Sequence, residues 1–228
     1  MVAKPRLTAA DNAAIGQELF QKKDFAAAEP YYRYAVALEP DNVAYNYFLG
    51  AVMFWLGKYA DAEPYLAKAV ALLPGNAAMR KDLGNTLYKL RRLPEAEQQF
   101  RAAVRLEPDK PVYHNQVGLI LYYQQKYTEA ETFFREALRL EPGNTEYQTS
   151  LTAAQSALKA AEKLNPDAAM HNSRGNVLFD EAKYAEAEAA YREALRLDPQ
   201  SADYKNNLAR ASANQQKAPE KARPKPKP

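Results

Sequence analysis

Pro40, Pro74, Pro108 and Pro142 recur every 34 residues, and Gly16, Gly50, Gly84 and Gly118 precede them by 24 residues at each step. Gly175 and Pro199 repeat the 24-residue spacing after an interruption. A fixed period of this length belongs to a chain that stacks copies of one small unit, each burying a face that it cannot bury alone. The period settles the architecture before local propensity is weighed. It constrains how such a chain binds, and leaves open what it binds.

Aligned on the glycines, the units are 9–42, 43–76, 77–110, 111–144 and 168–201. Each opens with about 14 residues of helical periodicity, passes a short turn, and continues with a second stretch in which apolar residues recur at three and four. Leu38, Leu72, Leu106, Leu140 and Leu197 close the second helices, because the proline that follows cannot continue a helix. Thr8 and Asp11 have the spacing of a capping pair at the start of the first helix. Two alanine series mark tight helix contacts: Ala28, Ala62, Ala96, Ala130 and Ala187, then Ala35, Ala69, Ala103, Ala137 and Ala194. Tyr32, Leu66, Phe100, Phe134 and Tyr191 lie between the two series and fill the gaps. A glycine inside a helix costs about 1 kcal/mol against alanine. Its regular recurrence predicts close approach of a neighbouring backbone.

Composition narrows the function. The 228 residues include no cysteine, which excludes disulfides and thiolate metal sites, and only two histidines, His114 and His171. The histidines occupy equivalent repeat positions and read as structural. No ligand cluster, metalloprotease or hydrolase motif, or phosphate-cradling glycine loop is present, so neither a catalytic residue, a metal nor a cofactor is expected, and no small-molecule substrate. Acid pairs such as Glu95/Glu97 and Glu186/Glu188 read as solvated charge. The first eight residues lack an apolar signal region, and no apolar run reaches the roughly 18 residues of a membrane span. A cytoplasmic protein is the simplest expectation.

Between Pro142 and Pro199 there are 57 residues, which is one period plus 23. Residues 145–164 read as a single uninterrupted helix, without the glycine and turn that divide a normal unit. Asn165-Pro166-Asp167 then supplies a stop and a fresh start. The single helix caps the first four units and joins them to the fifth. Arg174 stands where the other units carry an aliphatic residue. Either its usual apolar neighbour is missing, or its stem lies over the core with the head in water. Residues 202–214 form a polar capping helix. Residues 215–228 are a Lys/Pro-rich tail read as disordered. From Lys217 the tail holds five basic residues and one acidic, while the whole chain is +3, so the remainder is near −1.

The combination of an aliphatic–Gly pair, a small-x3-aromatic step and a terminal proline resembles the tetratricopeptide repeat (TPR) family. Ile15-Gly16, Leu49-Gly50, Leu83-Gly84 and Val117-Gly118 carry the first element, and the resemblance covers 9–144 and 168–201. The family's frequent Trp, three residues before the aliphatic, is here Asn12, Asn46, Arg80, His114 or His171. The resemblance implies an all-α, right-handed superhelical solenoid of antiparallel helix pairs. Its parts are an N-terminal extension (1–8), four units (9–144), a single long helix and joint (145–167), a fifth unit (168–201), a capping helix (202–214) and the tail (215–228).

The resemblance also implies that the first helices line a concave face. Carried over by position, the partner-binding candidates are Tyr47, Phe48, Phe54, Trp55, Lys81, Asn85, Tyr88, Asn115, Gln116, Tyr122 and Tyr123. The expected function is a non-catalytic adaptor that holds a protein or peptide partner in this aromatic groove. The alternatives are a self-associating scaffold and an accessory protein whose tail meets nucleic acid, ribosome or acidic membrane. Some members grip a C-terminal carboxylate through a Lys/Asn/Arg clamp. Lys81 and Asn85 match its first pair, but Gln116, Glu146 and Ser150 stand where the rest of the clamp needs Asn, Lys and Arg.

Overall fold

The computed structural model describes residues 7–217. The described residues form twelve α-helices and no strand. In order these are α1 (Ala9–Gln21), α2 (Phe25–Leu38), α3 (Val43–Trp55), α4 (Tyr59–Leu72), α5 (Ala77–Lys89) and α6 (Leu93–Leu106). They continue with α7 (Pro111–Tyr123), α8 (Tyr127–Leu140), α9 (Thr145–Leu164), α10 (Pro166–Asp180), α11 (Tyr184–Leu197) and α12 (Ala202–Lys217). The chain divides into two compact units, one ending at Ile120 and the other beginning at Leu121, inside α7. In the first unit each helix packs on the next, from α1 through α6. In the second, α8 packs on α9, α10 on α11, and α11 on α12.

Both alanine series and the five bulky residues between them are buried, as their spacing predicts. The glycines need a different explanation from a neighbouring backbone. A Cβ added at Gly16 would stand 3.0 Å from the Tyr32 ring, at Gly84 2.8 Å from Phe100, and at Gly175 2.4 Å from Tyr191. At Gly50 the nearest atom is Leu66 Cγ at 2.6 Å, and only then the Ala62 carbonyl at 3.2 Å. Each of these four glycines therefore makes room for the bulky residue of its own unit's second helix.

Each turn between paired helices passes through the left-handed region. Gly57 lies at φ 76°, while Lys23, Arg91, Gln125 and Ala182 lie between 59° and 63°. For a residue with a Cβ this conformation costs roughly 1–2 kcal/mol. Ala182→Gly is therefore expected to stabilise the protein by about 1 kcal/mol and Gly57→Ala to destabilise it by a similar amount. Urea midpoints that move in the same direction for both variants would contradict this account. An edge-to-face aromatic pair spans most of these turns. Phe20–Phe25, Phe54–Tyr59 and Phe179–Tyr184 have ring centres 5.3 Å apart, and Tyr122–Tyr127 5.5 Å. The Phe20 series is thus first a packing series.

The polar residues at the family's Trp position tie down the links between units. Asn46 Nδ2 donates to the Pro40 carbonyl at 2.8 Å, and Arg80 Nε to that of Pro74 at 2.9 Å. His114 Nε2 lies 2.7 Å from the Pro108 carbonyl, and Asn12 Nδ2 donates to Thr8 at 2.8 Å. Thr8 and Asp11 form the reciprocal cap. A further link joins consecutive second helices. Lys58 reaches back to Glu29 at 2.7 Å and Arg92 to Glu63 at 2.8 Å. The reading of Glu97 and Glu188 as solvated charge is corrected. Both are half-buried, and each pairs with an arginine four residues on, Arg101 and Arg192. Glu95 and Glu186 are exposed as expected.

α9 runs for 20 residues without a turn. The joint is shorter than residues 165–167, because α10 already begins at Pro166. Asn165 alone ends one helix and starts the other. Its Oδ1 accepts from the Ala168 N–H at 3.3 Å, and its Nδ2 donates to the Leu197 carbonyl at 3.0 Å. Within this unit Glu131 accepts from Gln155 Nε2 of α9 at 2.9 Å and also pairs with Arg135 four residues on. The capping helix continues through Lys217, three residues beyond the expected end, and the rest of the tail lies outside the described residues. α12 also returns to α8. The Thr128 N–H donates to Asp203 Oδ1 at 3.3 Å, and Asn206 Nδ2 to Glu129 at 2.5 Å. Lys126, the residue at the N-cap of α8, has no side-chain acceptor to offer. Asp203 supplies the missing acceptor from 75 residues away in sequence.

Candidate functional site

The candidate residues lie on first helices because the second helices carry the alanine series that packs the array. A hollow of about 370 Å³ opens on the first unit, lined by Phe20, Tyr47, Ala51, Phe54, Trp55, Leu66, Lys81, Asp82 and Asn85. It brings together five of the candidates: Tyr47, Phe54, Trp55, Lys81 and Asn85. Tyr88 and Gln116 are half-buried and do not line it. Tyr122 and Tyr123 belong to the second unit, where their rings meet edge to face at 5.8 Å and Tyr123 is 48% exposed.

Two candidates are corrected. Asn115 is 1% exposed, so its amide is not offered on an open face. Phe48 stands behind the hollow rather than in it. Half-buried, its ring stacks on Tyr32 at 5.5 Å and meets Phe20 at 5.7 Å and Tyr47 at 5.4 Å edge-on, so much of it packs α3 against α1 and α2.

Trp55 is different. It is 62% exposed, yet its indole lies parallel to the Phe25 ring, with 5.7 Å between centres and 10° between planes. Phe54 meets it edge-on at 5.8 Å. A large aromatic held in place by two rings and open to solvent loses little freedom when a partner covers it. Phe25 was not among the sequence candidates, because it opens a second helix. Its signal lay in the aromatic at the same unit position in Tyr59, Tyr127 and Tyr184.

The polar floor of the hollow is already committed. The Tyr47 hydroxyl donates to Asp82 Oδ2 at 2.6 Å, and Lys81 Nζ lies 3.1 Å from Asp82 Oδ1. Burial, and then the Asp82 carboxylate, push the Tyr47 phenol well above its ordinary value, which keeps it protonated and donating. Lys81 therefore faces a carboxylate of its own helix. That leaves it a poor first half of a carboxylate clamp. Asn85 contributes an amide on the lining. The arrangement offers aromatic area and an amide beside an internally paired Lys81–Asp82–Tyr47 group. Among the described residues no three His, Asp or Glu side chains gather to hold a metal, and no helix is long and apolar enough to cross a membrane.

Family models described as tetratricopeptide repeat match residues 13–79, 146–202 and 172–225 in one case, 56–118 in a second and 111–144 in a third. The match at 146–202 runs through α9, which the period alone reads as a break. Among solved structures the chain is similar to MamA from residue 41 onward of Desulfovibrio magneticus RS-1. That likeness has 16% identity, TM-score 0.58, and coverage of 85% of this chain and 97% of the other. It is similar to TTC0263, a TPR protein of Thermus thermophilus, at 20% identity and TM-score 0.52, with 90% and 100% covered. The first TPR domain of Spaghetti (RPAP3), bound to an HSP90 peptide, is 25% identical at TM-score 0.50, with 51% of this chain and 93% of that one covered. No curated protein sequence matches this one.

Proposed function

The chain belongs to the tetratricopeptide repeat family, and from that premise we propose that it is a non-catalytic adaptor whose first unit holds a segment of a protein partner. The observation that carries this reading is the exposed, stacked indole of Trp55 at the edge of the aromatic hollow. The committed Lys81–Asp82–Tyr47 group favours a partner that presents an apolar or aromatic anchor over one that presents a terminal carboxylate. The Spaghetti domain supports the general mode, since it holds a peptide.

Trp55 is the only tryptophan, so its fluorescence reports this site alone. Affinity capture with the wild-type chain, repeated with Trp55→Ala, tests the proposal. The variant is expected to lose the specific partner by about 2 kcal/mol or more, roughly 30-fold, as for an aromatic hot spot, with its circular dichroism unchanged. A partner retained at full affinity would move the binding face elsewhere. An unfolded variant would make Trp55 a core residue.

A further inference from the structure

α10 is the first helix of the last repeat, yet no second helix precedes it. α3 rests on α2, α5 on α4 and α9 on α8, whereas α10 follows another first helix and meets it only lightly. The effect is visible position by position. At the tenth residue of a unit Val52, Thr86, Ile120 and Ala154 are buried, and their counterpart Val177 is 58% exposed. At the third, Tyr113 and Tyr147 are buried, and their counterpart Met170 is 61% exposed. Arg174, exposed, stands between the two. The missing-neighbour account of Arg174 is the one that fits.

α1 supplies an internal comparison, since among the described residues no helix precedes it. Its residues at these two positions are Asp11 and Glu18, both exposed. On α1 both positions are polar and acidic, Asp11 also serving the cap with Thr8. On α10 they remain large and apolar. Beside the stripe a hollow of about 290 Å³ opens between α10 and α11, reaching His171 and Ala190. In the third unit the same two positions are Arg80 and Gln99, which close the space with a 3.2 Å hydrogen bond.

We propose that the uncovered face of α10 is a second docking surface, and that its occupant is an amphipathic helix of another protein, seated as α2, α4 and α8 seat on the helices that follow them. The chain's own contacts specify that helix. Ala103 of α6 packs under Tyr113, and Ala194 of α11 under Tyr204, so the residue that meets the third position is small. The occupant therefore carries an alanine opposite Met170, and a carboxylate in reach of Arg174 in place of the usual apolar contact. A second copy of this chain does not fit the role. Its second helices are already covered, α2 by α3, α4 by α5, α8 by α9 and α11 by α12, with α6 covered through Tyr113.

The probe is a fluorescein-labelled peptide of residues 127–140, held helical by a lactam bridge, titrated against the full chain by anisotropy. It copies a second helix of this array, with Ala137 and several carboxylates. Saturable binding below ~1 mM is expected. Val177→Asp and Met170→Asp should each weaken it by about tenfold or more with circular dichroism unchanged. Trp55→Ala should leave it intact, which separates this face from the aromatic hollow. Absence of saturation by ~1 mM, or binding indifferent to both aspartates, overturns the proposal. Sedimentation that shows a dimer dissolved by Val177→Asp overturns the choice of occupant in favour of a second copy.

Discussion

Truncating Phe100 to alanine is expected to cost about 3–5 kcal/mol and to turn a harmful change at Gly84 into a helpful one. Phe100 is fully buried, and its ring occupies the space that a Cβ on Gly84 would need. In the wild-type background Gly84→Ala forces the ring aside, an overpacking cost of roughly 1–3 kcal/mol. Without the ring, only the helix propensity difference remains, and it favours alanine by about 1 kcal/mol. A double-mutant cycle by urea denaturation reads the coupling directly. Equal effects of Gly84→Ala in both backgrounds would mean that the glycine serves some other contact.

The second large effect concerns Asp203. It is 5% exposed, and burial pushes its carboxyl up to about 7, opposed by the backbone N–H groups of Thr128 and Tyr127 that it caps. The nearby charges are Glu129, which raises it further, and Lys126, which lowers it. A folded-state value above the ordinary 3.8 means that the folded chain holds this proton more tightly than the unfolded one. The contribution of Asp203 to stability is therefore greatest below about pH 4. It declines as pH rises towards the folded value, and is lost above it. A shift of this size corresponds to something on the order of 4 kcal/mol. Asp203→Asn keeps an oxygen for the α8 N-terminus and removes the ionisation. It is expected to leave stability nearly unchanged at acid pH and to raise it at pH 8. Parallel stability–pH curves for the two proteins would rule this out.

The period made most of the fold legible, because steric partners recur with it. Once Ala62 and Leu66 are placed, their counterparts in every unit follow. The full extent of α9 was also readable, since a helix without a glycine or turn has nothing to divide it. Distant pairings were not readable. Asp203 is one polar residue in a polar helix, and nothing in its neighbours announces a contact with the start of α8. The candidate site was legible only in part for a related reason. Position in a unit says which side of a helix a residue takes, and so found Tyr47, Trp55 and Asn85. It does not say whether a neighbouring ring already covers that side, and so it also selected Phe48. Asp82 falls in the same inward-facing series as Phe48 and Gln116, but its pairing is not readable there, because it appears only when Tyr47 arrives from the preceding unit.

The charge link between second helices bears on how the array came by its length. Glu63 and Lys58 occupy the two ends of that link within a single unit, so a duplicated copy of residues 43–76 would present its own cation to the acid of its parent. Such a junction works on the first occasion, without a compensating change on either side. Growth by tandem duplication is therefore chemically open anywhere between α2 and α6. At α9 the pattern is interrupted, because Glu131 meets the amide of Gln155 there and no turn divides the helix. A copy inserted across α9 would meet no such cation, so repeats gained or lost between α2 and α6 should leave the long helix and the pair α10–α11 beyond it unchanged.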